Sequence, residues 1–347
     1  MEKERISTGR LTATAWAAVL APAVGVLPGL CARLAGAGGW LAPLVSLPAV
    51  LLLGRMLERQ AKDGQFLGRL GRPGEWLLTI IYIVWALLLA SARLRLSGQR
   101  LLFTAQREVG LWFFLPVLAA TVLWMARGKT GAFVRAAAVF SRILTLALVV
   151  VLGLTAFQIR PEHLWPIWVG DLLPVLRAVV PTLGVLCYGV YTVFLPVERE
   201  DDRQSWRGRA VGACCVLAAL QLAVLGNMGA ELAGAVEDPF LTLSKHVGVE
   251  GAFQRVESLV SALWLLGDLA LLGVLLRACC ALTQNIMPGW DNKKIAAVLV
   301  ALTLLGGGLG FRDALLAQRF EWGVAPLGNL VLGLGVPVLL LQIKRKA

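Results

Sequence analysis

Apolar runs of about 18 residues or more recur along almost the whole chain, and each is long enough to cross the hydrocarbon core of a bilayer as a helix. No long polar segment separates them. With 347 residues, 58% of them hydrophobic and 16% charged, the chain has too little charged surface for a water-soluble body of this size. The expected architecture is therefore one all-α integral membrane domain covering 1–347. Ten spans are read at roughly 11–33, 39–57, 75–93, 110–127, 138–157, 175–196, 208–230, 256–279, 294–310 and 323–343.

The net charge of +12 would suggest nucleic acid in a soluble protein, but its placement reads as topology. With the N-terminus inside, 22 of the 33 Lys and Arg fall on the inner side, among them Arg55, Arg59, Lys62, Arg127, Lys129, Arg207, Arg209 and the terminal Lys344–Lys346 cluster. Positive charge stays on the cytoplasmic side, so both termini are expected there and no nucleic-acid partner is expected. Trp40, Trp76, Trp112, Trp124, Trp206 and Trp322 lie near span ends, where indoles meet lipid headgroups.

The chemistry-bearing residues point away from catalysis. The six cysteines include two adjacent pairs, Cys214–Cys215 and Cys279–Cys280, but no CxxC, and most lie in apolar runs as small packing residues. The two histidines, His163 and His246, fall in separate outer loops. No nucleophile elbow, HExxH or His-rich cluster occurs, so no catalytic residue, metal or cofactor is assigned and an enzyme is not expected.

Ten spans divide into five plus five, and an odd number per half inverts the second half relative to the first. The repeats would cover about 11–157 and 175–343. Span 1 carries Pro22, Gly25, Pro28 and Gly29, and span 6 carries Pro181, Gly184, Gly189 and Pro196, so helix breakers fall in corresponding spans. Unwound backbone at membrane depth is tolerated where it lines a cavity. Two broken helices facing each other would offer amides to a carboxylate and carbonyls to an ammonium, which matches a zwitterionic amino acid. Packing by small residues is the plainer use of the same residues.

The ligand-binding candidates are the backbone of Gly25, Val26, Leu27 and Pro28 in span 1, and Gly184, Cys187, Tyr188 and Tyr191 in span 6. Tyr82 and Trp85 of span 3 are candidate walls. A buried tyrosine hydroxyl needs a partner, from ligand or helix. Asp268, about twelve residues into span 8, is a candidate proton relay, cation site or partner of a buried base. The outer loop 158–174, with Trp165, Pro166 and Trp168, is expected to re-enter the interface. The inner loop 198–209 mixes both charge signs and reads as a solvated or partner-contacting segment.

The order of segments resembles the spore germination permeases, the B subunits of Ger-type germinant receptors, within the amino acid–polyamine–organocation superfamily. The resemblance rests on "ISTGRL" (6–11), on "GVLPGLCARLAGAGGWLA" (25–42) with its Pro-then-Gly-Trp spacing, on "IRPEHLWPI" (159–167), and on "FQRVESLVSALW" (253–264), where Arg255, Glu257 and Trp264 match a family motif. Asp268 falls outside that pattern. The resemblance implies a LeuT-like fold with broken helices 1 and 6 and a place in the inner membrane of spores. It also implies A and C receptor subunits as partners alongside membrane lipid, and recognition of a small germinant, often an amino acid. A proton- or cation-coupled amino acid permease is the alternative reading on the same fold.

Overall fold

A computed structural model describes residues 4–63, 66–104, 110–165, 171–200, 206–246 and 256–342. Ten helices stand where the apolar runs place them: α1 (Thr8–Ala35), α2 (Leu47–Asp63), α3 (Gly71–Thr104), α4 (Leu111–Arg127), α5 (Thr130–Ala156), α6 (Leu172–Phe194), α7 (Trp206–Ala235), α8 (Val256–Ile286), α9 (Asn292–Gly310) and α10 (Ala314–Leu340). All but α4 lie in stretches long and apolar enough to cross a membrane, α1 and α2 together forming one of them, Thr8–Glu58. The 17 residues of α4 reach the lower limit for a crossing. The chain is a multi-pass membrane protein.

The centre of the bundle is α1. Every residue from Ala17 to Gly29 is buried, so this helix is enclosed on all sides. It packs against α5, α6, α7 and α8. Small side chains permit the approach: a Cβ at Gly267 of α8 would stand 3.0 Å from Ala21 Cβ, and one at Gly189 of α6 would stand 3.4 Å from Ala15 Cβ. Without a hydrophobic drive between helices in lipid, such close backbone contact is a main source of association.

The expected break in α1 is corrected. The α-helix is continuous from Thr8 to Ala35 with Pro22 and Pro28 inside it. Proline's fixed φ is already helical, and only one hydrogen bond and the local fit to the preceding turn are lost. Neighbouring helices on every side hold the turn in place. In α6 the irregularity is present but differently placed: Pro181 lies within the α-helical part, and the helix tightens to 3₁₀ over Cys187–Phe194. Two spans are longer than their hydropathy suggested: helix α3 runs on past residue 93 to Thr104, and α8 reaches Ile286. Helix α7 breaks at Gly229 (φ 76°), where the expected span ends, and resumes to Ala235. Helix α10 alternates α turns with wider π turns at Phe320–Val324 and Val331–Gly335.

One feature has no counterpart in the all-α reading. Strand β1 (Glu4–Ser7) pairs in parallel with β2 (Val197–Glu200), which follows α6. The pair ties the start of α1 to the end of α6, and Ile6 is buried beneath it.

Gly184 tests this packing directly. Its Cα lies against the backbone of Pro326 in α10, so a methyl group there would collide with a main chain that has no side-chain freedom to yield. Gly184→Ala is expected to destabilise the bundle by about 1–3 kcal/mol, read as a lower unfolding midpoint of the purified protein in nanodiscs.

Candidate functional site: a buried ionic cluster above an open cavity

Helix α3 places Arg93, Ser97 and Arg100 at i, i+4 and i+7, on one face. That face meets α8 and α10. Arg93 Nη1 lies 3.4 Å from Asp268 Oδ1, and Arg93 Nη2 lies 2.8 Å from Glu321 Oε2. Arg100 Nη1 donates to Asp268 Oδ2 at 2.8 Å, and Ser97 Oγ donates to the same oxygen at 2.8 Å. Arg93, Asp268 and Glu321 are 1%, 0% and 3% exposed. Charges at this depth are tolerated because they are paired and hydrogen-bonded.

The cluster extends toward α6 and α1. Tyr188 stands beside Arg93 and Asn329. Asn329 Oδ1 accepts from Trp85 Nε1 at 2.9 Å. On the other side, a Cβ at Gly25 would lie 3.3 Å from Trp264 Cζ2, 3.6 Å from Asp238 Oδ1 and 3.9 Å from Arg100 Nη2. Arg100 stacks on the Trp264 ring at 4.5 Å. Glu321 Oε1 and Trp264 Nε1 are buried with no hydrogen-bond partner among the described residues. The arrangement thus gathers two guanidiniums, three carboxylates (Asp268, Glu321 and, beside Gly25, Asp238) and a phenol at the meeting of α1, α3, α6, α8 and α10. It is equipped to hold a small molecule carrying both charges.

A cavity of about 1230 Å³ lies on the other side of the 3₁₀ segment. It is lined by the first half of α1 (Thr8, Ala15, Trp16), by Gly189 and Thr192 of α6, and by parts of α2, α5 and α7. Glu58, Arg142, Glu198 and Arg209 lie at its rim, so it opens on the membrane face where α1 begins. Tyr188 and Gly189, successive residues, serve the cluster and the cavity respectively.

The sequence candidates separate into two groups. Gly25, Tyr188, Trp85, Trp264 and Asp268 come together around the ionic cluster. Val26, Leu27 and Pro28 continue the buried course of α1. Tyr82, Tyr191 and Cys187 form a second group with Phe194: Tyr82 Oη donates to the Leu332 carbonyl at 2.6 Å, its ring meets Tyr191 at 6.4 Å and Phe194 at 5.1 Å, and Cys187 packs on Gly333. Gly184 seats α10, its Cβ position lying against the Pro326 backbone. Arg255 and the Glu257 side chain lie outside the described residues, as do Pro166, Trp168, the His246 side chain and 201–205. Among the three readings of Asp268, the geometry supplies the pairing with buried bases.

The residues that the sequence reading passed over are Arg93, Arg100, Glu321 and Asn329. The first two were counted with an outer loop, because "ASARLRLSGQR" (90–100) ends an apolar window. Their signal was the i, i+4, i+7 spacing of Arg93, Ser97 and Arg100.

Asp268 holds the cluster together. Asp268→Asn leaves Arg93 and Arg100 without their shared counter-charge, and about 3–5 kcal/mol of stability should be lost. In a double-mutant cycle with Arg100→Met, the coupling energy should reach about 0.5–3 kcal/mol. Additive losses would mean that the pair carries no coupling.

Comparison with known proteins gives consistent results. A family profile described as spore germination protein matches residues 5–306. Spore germination protein KB of Bacillus subtilis (strain 168) is 22% identical over 271 residues, covering 74% of this chain and 72% of its own. Among solved structures, MhsT in complex with L-phenylalanine aligns with a TM-score of 0.57 at 15% identity, over 99% of both chains. A manganese transporter of Eremococcus coleocola aligns with a TM-score of 0.55 at 15% identity, over 96% of this chain and 78% of its own. These two likenesses establish a LeuT-like fold.

Proposed function

Since the chain belongs to the spore germination protein family, we propose that it is the B subunit of a germinant receptor and recognises a small zwitterionic germinant, an amino acid by preference. The observation that carries this reading is the buried ionic cluster. Arg93 and Arg100 present guanidinium forks suited to a carboxylate, and Asp268 and Glu321 present carboxylates suited to an ammonium. A ligand bearing both groups replaces the internal pairs without leaving a buried charge exposed. MhsT, of the same fold, is crystallised with L-phenylalanine, which supports this ligand class.

Gly25 gives the ligand its approach along α1, and Tyr188 links the cluster to the 3₁₀ segment of α6. Tyr82, Trp85, Cys187 and Tyr191 act as walls. Val26, Leu27, Pro28 and Gly184 hold α1 and α6 in register around the site. The receptor setting adds A and C subunits and the inner spore membrane, with both termini cytoplasmic. Pairing Arg93 and Arg100 inside the bundle removes them from the outer loops, and so sharpens the inward bias of positive charge. The cavity supports a second reading, a proton- or cation-coupled permease, because it already opens a path to one membrane face.

Thermal unfolding in nanodiscs tests the first reading. An L-amino acid that binds, present at about 100 times its Kd, should add roughly 2.7 kcal/mol of stability, and its D-form should add little. Tyr188→Phe and Gly25→Val should abolish the shift while the unliganded protein stays folded. A folded sample that responds to no amino acid would count against autonomous recognition. Uptake of the bound amino acid into proteoliposomes would favour the permease.

A further inference from the structure

The outer half of α1, beyond Ala21, carries a repeated contact that the ionic cluster does not need. Gly25 and Gly29 stand one turn apart on the same face of α1. Each seats an indole, and each indole carries an arginine on its face. At Gly25 the indole is Trp264 of α8, with a notional Cβ 3.3 Å from Cζ2, and Arg100 lies 4.5 Å from the ring centroid. At Gly29 the indole is Trp322 of α10, with a notional Cβ 2.8 Å from Cη2, and Arg33 lies 4.2 Å from the centroid. Arg33 Nε then donates to the Gly234 carbonyl at the end of α7. The two tiers therefore span α1, α3, α7, α8 and α10.

We infer that these two Arg–Trp stacks form a two-tier lid sealing the ionic cluster from the membrane face opposite the cavity. Three observations converge on this. The cavity lies wholly on the face where α1 begins, and both stacks lie on the other half of α1. The tiers are graded in exposure: Trp264 is buried with 5% exposure, Trp322 is half-buried and Arg33 is exposed, as expected of a lower and an upper closure. The lower indole also has room to move. A small apolar void of about 50 Å³ lies against Trp264, walled by Val24, Leu148, Phe240 and Gly267. The buried Trp264 Nε1 has no hydrogen-bond partner to break among the described residues.

Each contact is weak enough to open. A cation–π pair is a modest electrostatic attraction that grows only with desolvation. At Gly29 a Cβ would meet Trp322 Cη2 at 2.8 Å and displace the upper indole, whereas at Gly25 it would stand 3.3 Å from Trp264 Cζ2 and only press the lower one. Lifting Trp322 away from Gly29 and tilting Trp264 toward the void would expose Arg100 and Asp238 first, then Arg93 and Asp268. The inference concerns access and holds whichever ligand the cluster takes.

Cysteine accessibility tests it in oriented proteoliposomes, in a background with the six native cysteines replaced. Ser97→Cys reports from beneath the lid and Ala15→Cys from the cavity. A membrane-impermeant maleimide added at the face opposite the cavity should label Ser97→Cys slowly. Removing both indoles, by Trp264→Ala with Trp322→Ala, should raise that rate at least tenfold. Labelling of Ala15→Cys from the cavity face should stay within twofold. Gly29→Ala keeps both indoles but displaces the upper one, and should raise the Ser97→Cys rate at least threefold; it serves if the double variant does not fold. A Ser97→Cys rate unchanged in either variant would place the seal elsewhere and overturn the lid. The readout does not involve an amino acid, so it stands or falls separately from germinant binding.

Discussion

The salt bridges of Arg93 fix more of this structure than any single apolar contact. A guanidinium at membrane depth must be paired, and Arg93 is paired twice, to Asp268 on α8 and Glu321 on α10. A planar fork satisfies two carboxylates on different helices in one plane, which a lysine ammonium does not do with the same geometry. Three helices far apart in sequence are thereby held at one relative height and rotation. The gain in net stability from such pairs is small, because desolvation offsets most of the attraction. Their value is specificity: a shift of α8 or α10 by one turn would strand a charge in the apolar interior.

Helix α1 then takes the space that remains. Its buried run from Ala17 to Gly29 is mostly alanine, glycine, valine and proline, so it fills a narrow channel between α5, α6, α7 and α8. On its C-terminal half the channel closes around large side chains, Trp264 and Trp322, seated over Gly25 and Gly29. On its N-terminal half the same helix faces an open cavity and is held at its start by the β1–β2 pair and by Arg209 Nη1, which donates to the Gly9 carbonyl at 3.0 Å. The two halves of one helix thus sit in different environments, and the difference lies in what the neighbouring helices present to it.

Much of the architecture was legible from hydropathy, because each crossing must be apolar over nearly its whole length. Asp268 stood out as a lone charge in an apolar run, and Trp264 as the tryptophan that closes the "FQRVESLVSALW" stretch. Arg93, Arg100 and Glu321 did not, since each lies where a hydropathy window ends and a charge reads as a loop. The pairing that permits them inside the bundle is a tertiary fact. The opposite error occurred at Pro22 and Pro28. Local chemistry marked them as breakers, yet enclosure on all sides kept α1 helical, while α6 changed pitch at Cys187, where no proline stands.

That change of pitch explains how a closed site and an open cavity coexist within a few ångströms. An α-helix advances about 100° per residue and a 3₁₀ helix about 120°, so tightening at Cys187 rotates the following side chains relative to a continued α-helix. Tyr188 is directed to Arg93 and Asn329, while Gly189 and Thr192 line the cavity. Thr192 Oγ1 satisfies the Gly189 carbonyl at 2.7 Å, filling a backbone valence that the tighter turn rearranges. Since β2 follows α6 directly and pairs with the strand that begins α1, any rotation of the 3₁₀ segment pulls on the N-terminal end of α1. The same few residues therefore connect the ionic cluster on one side of the 3₁₀ segment with the cavity on the other.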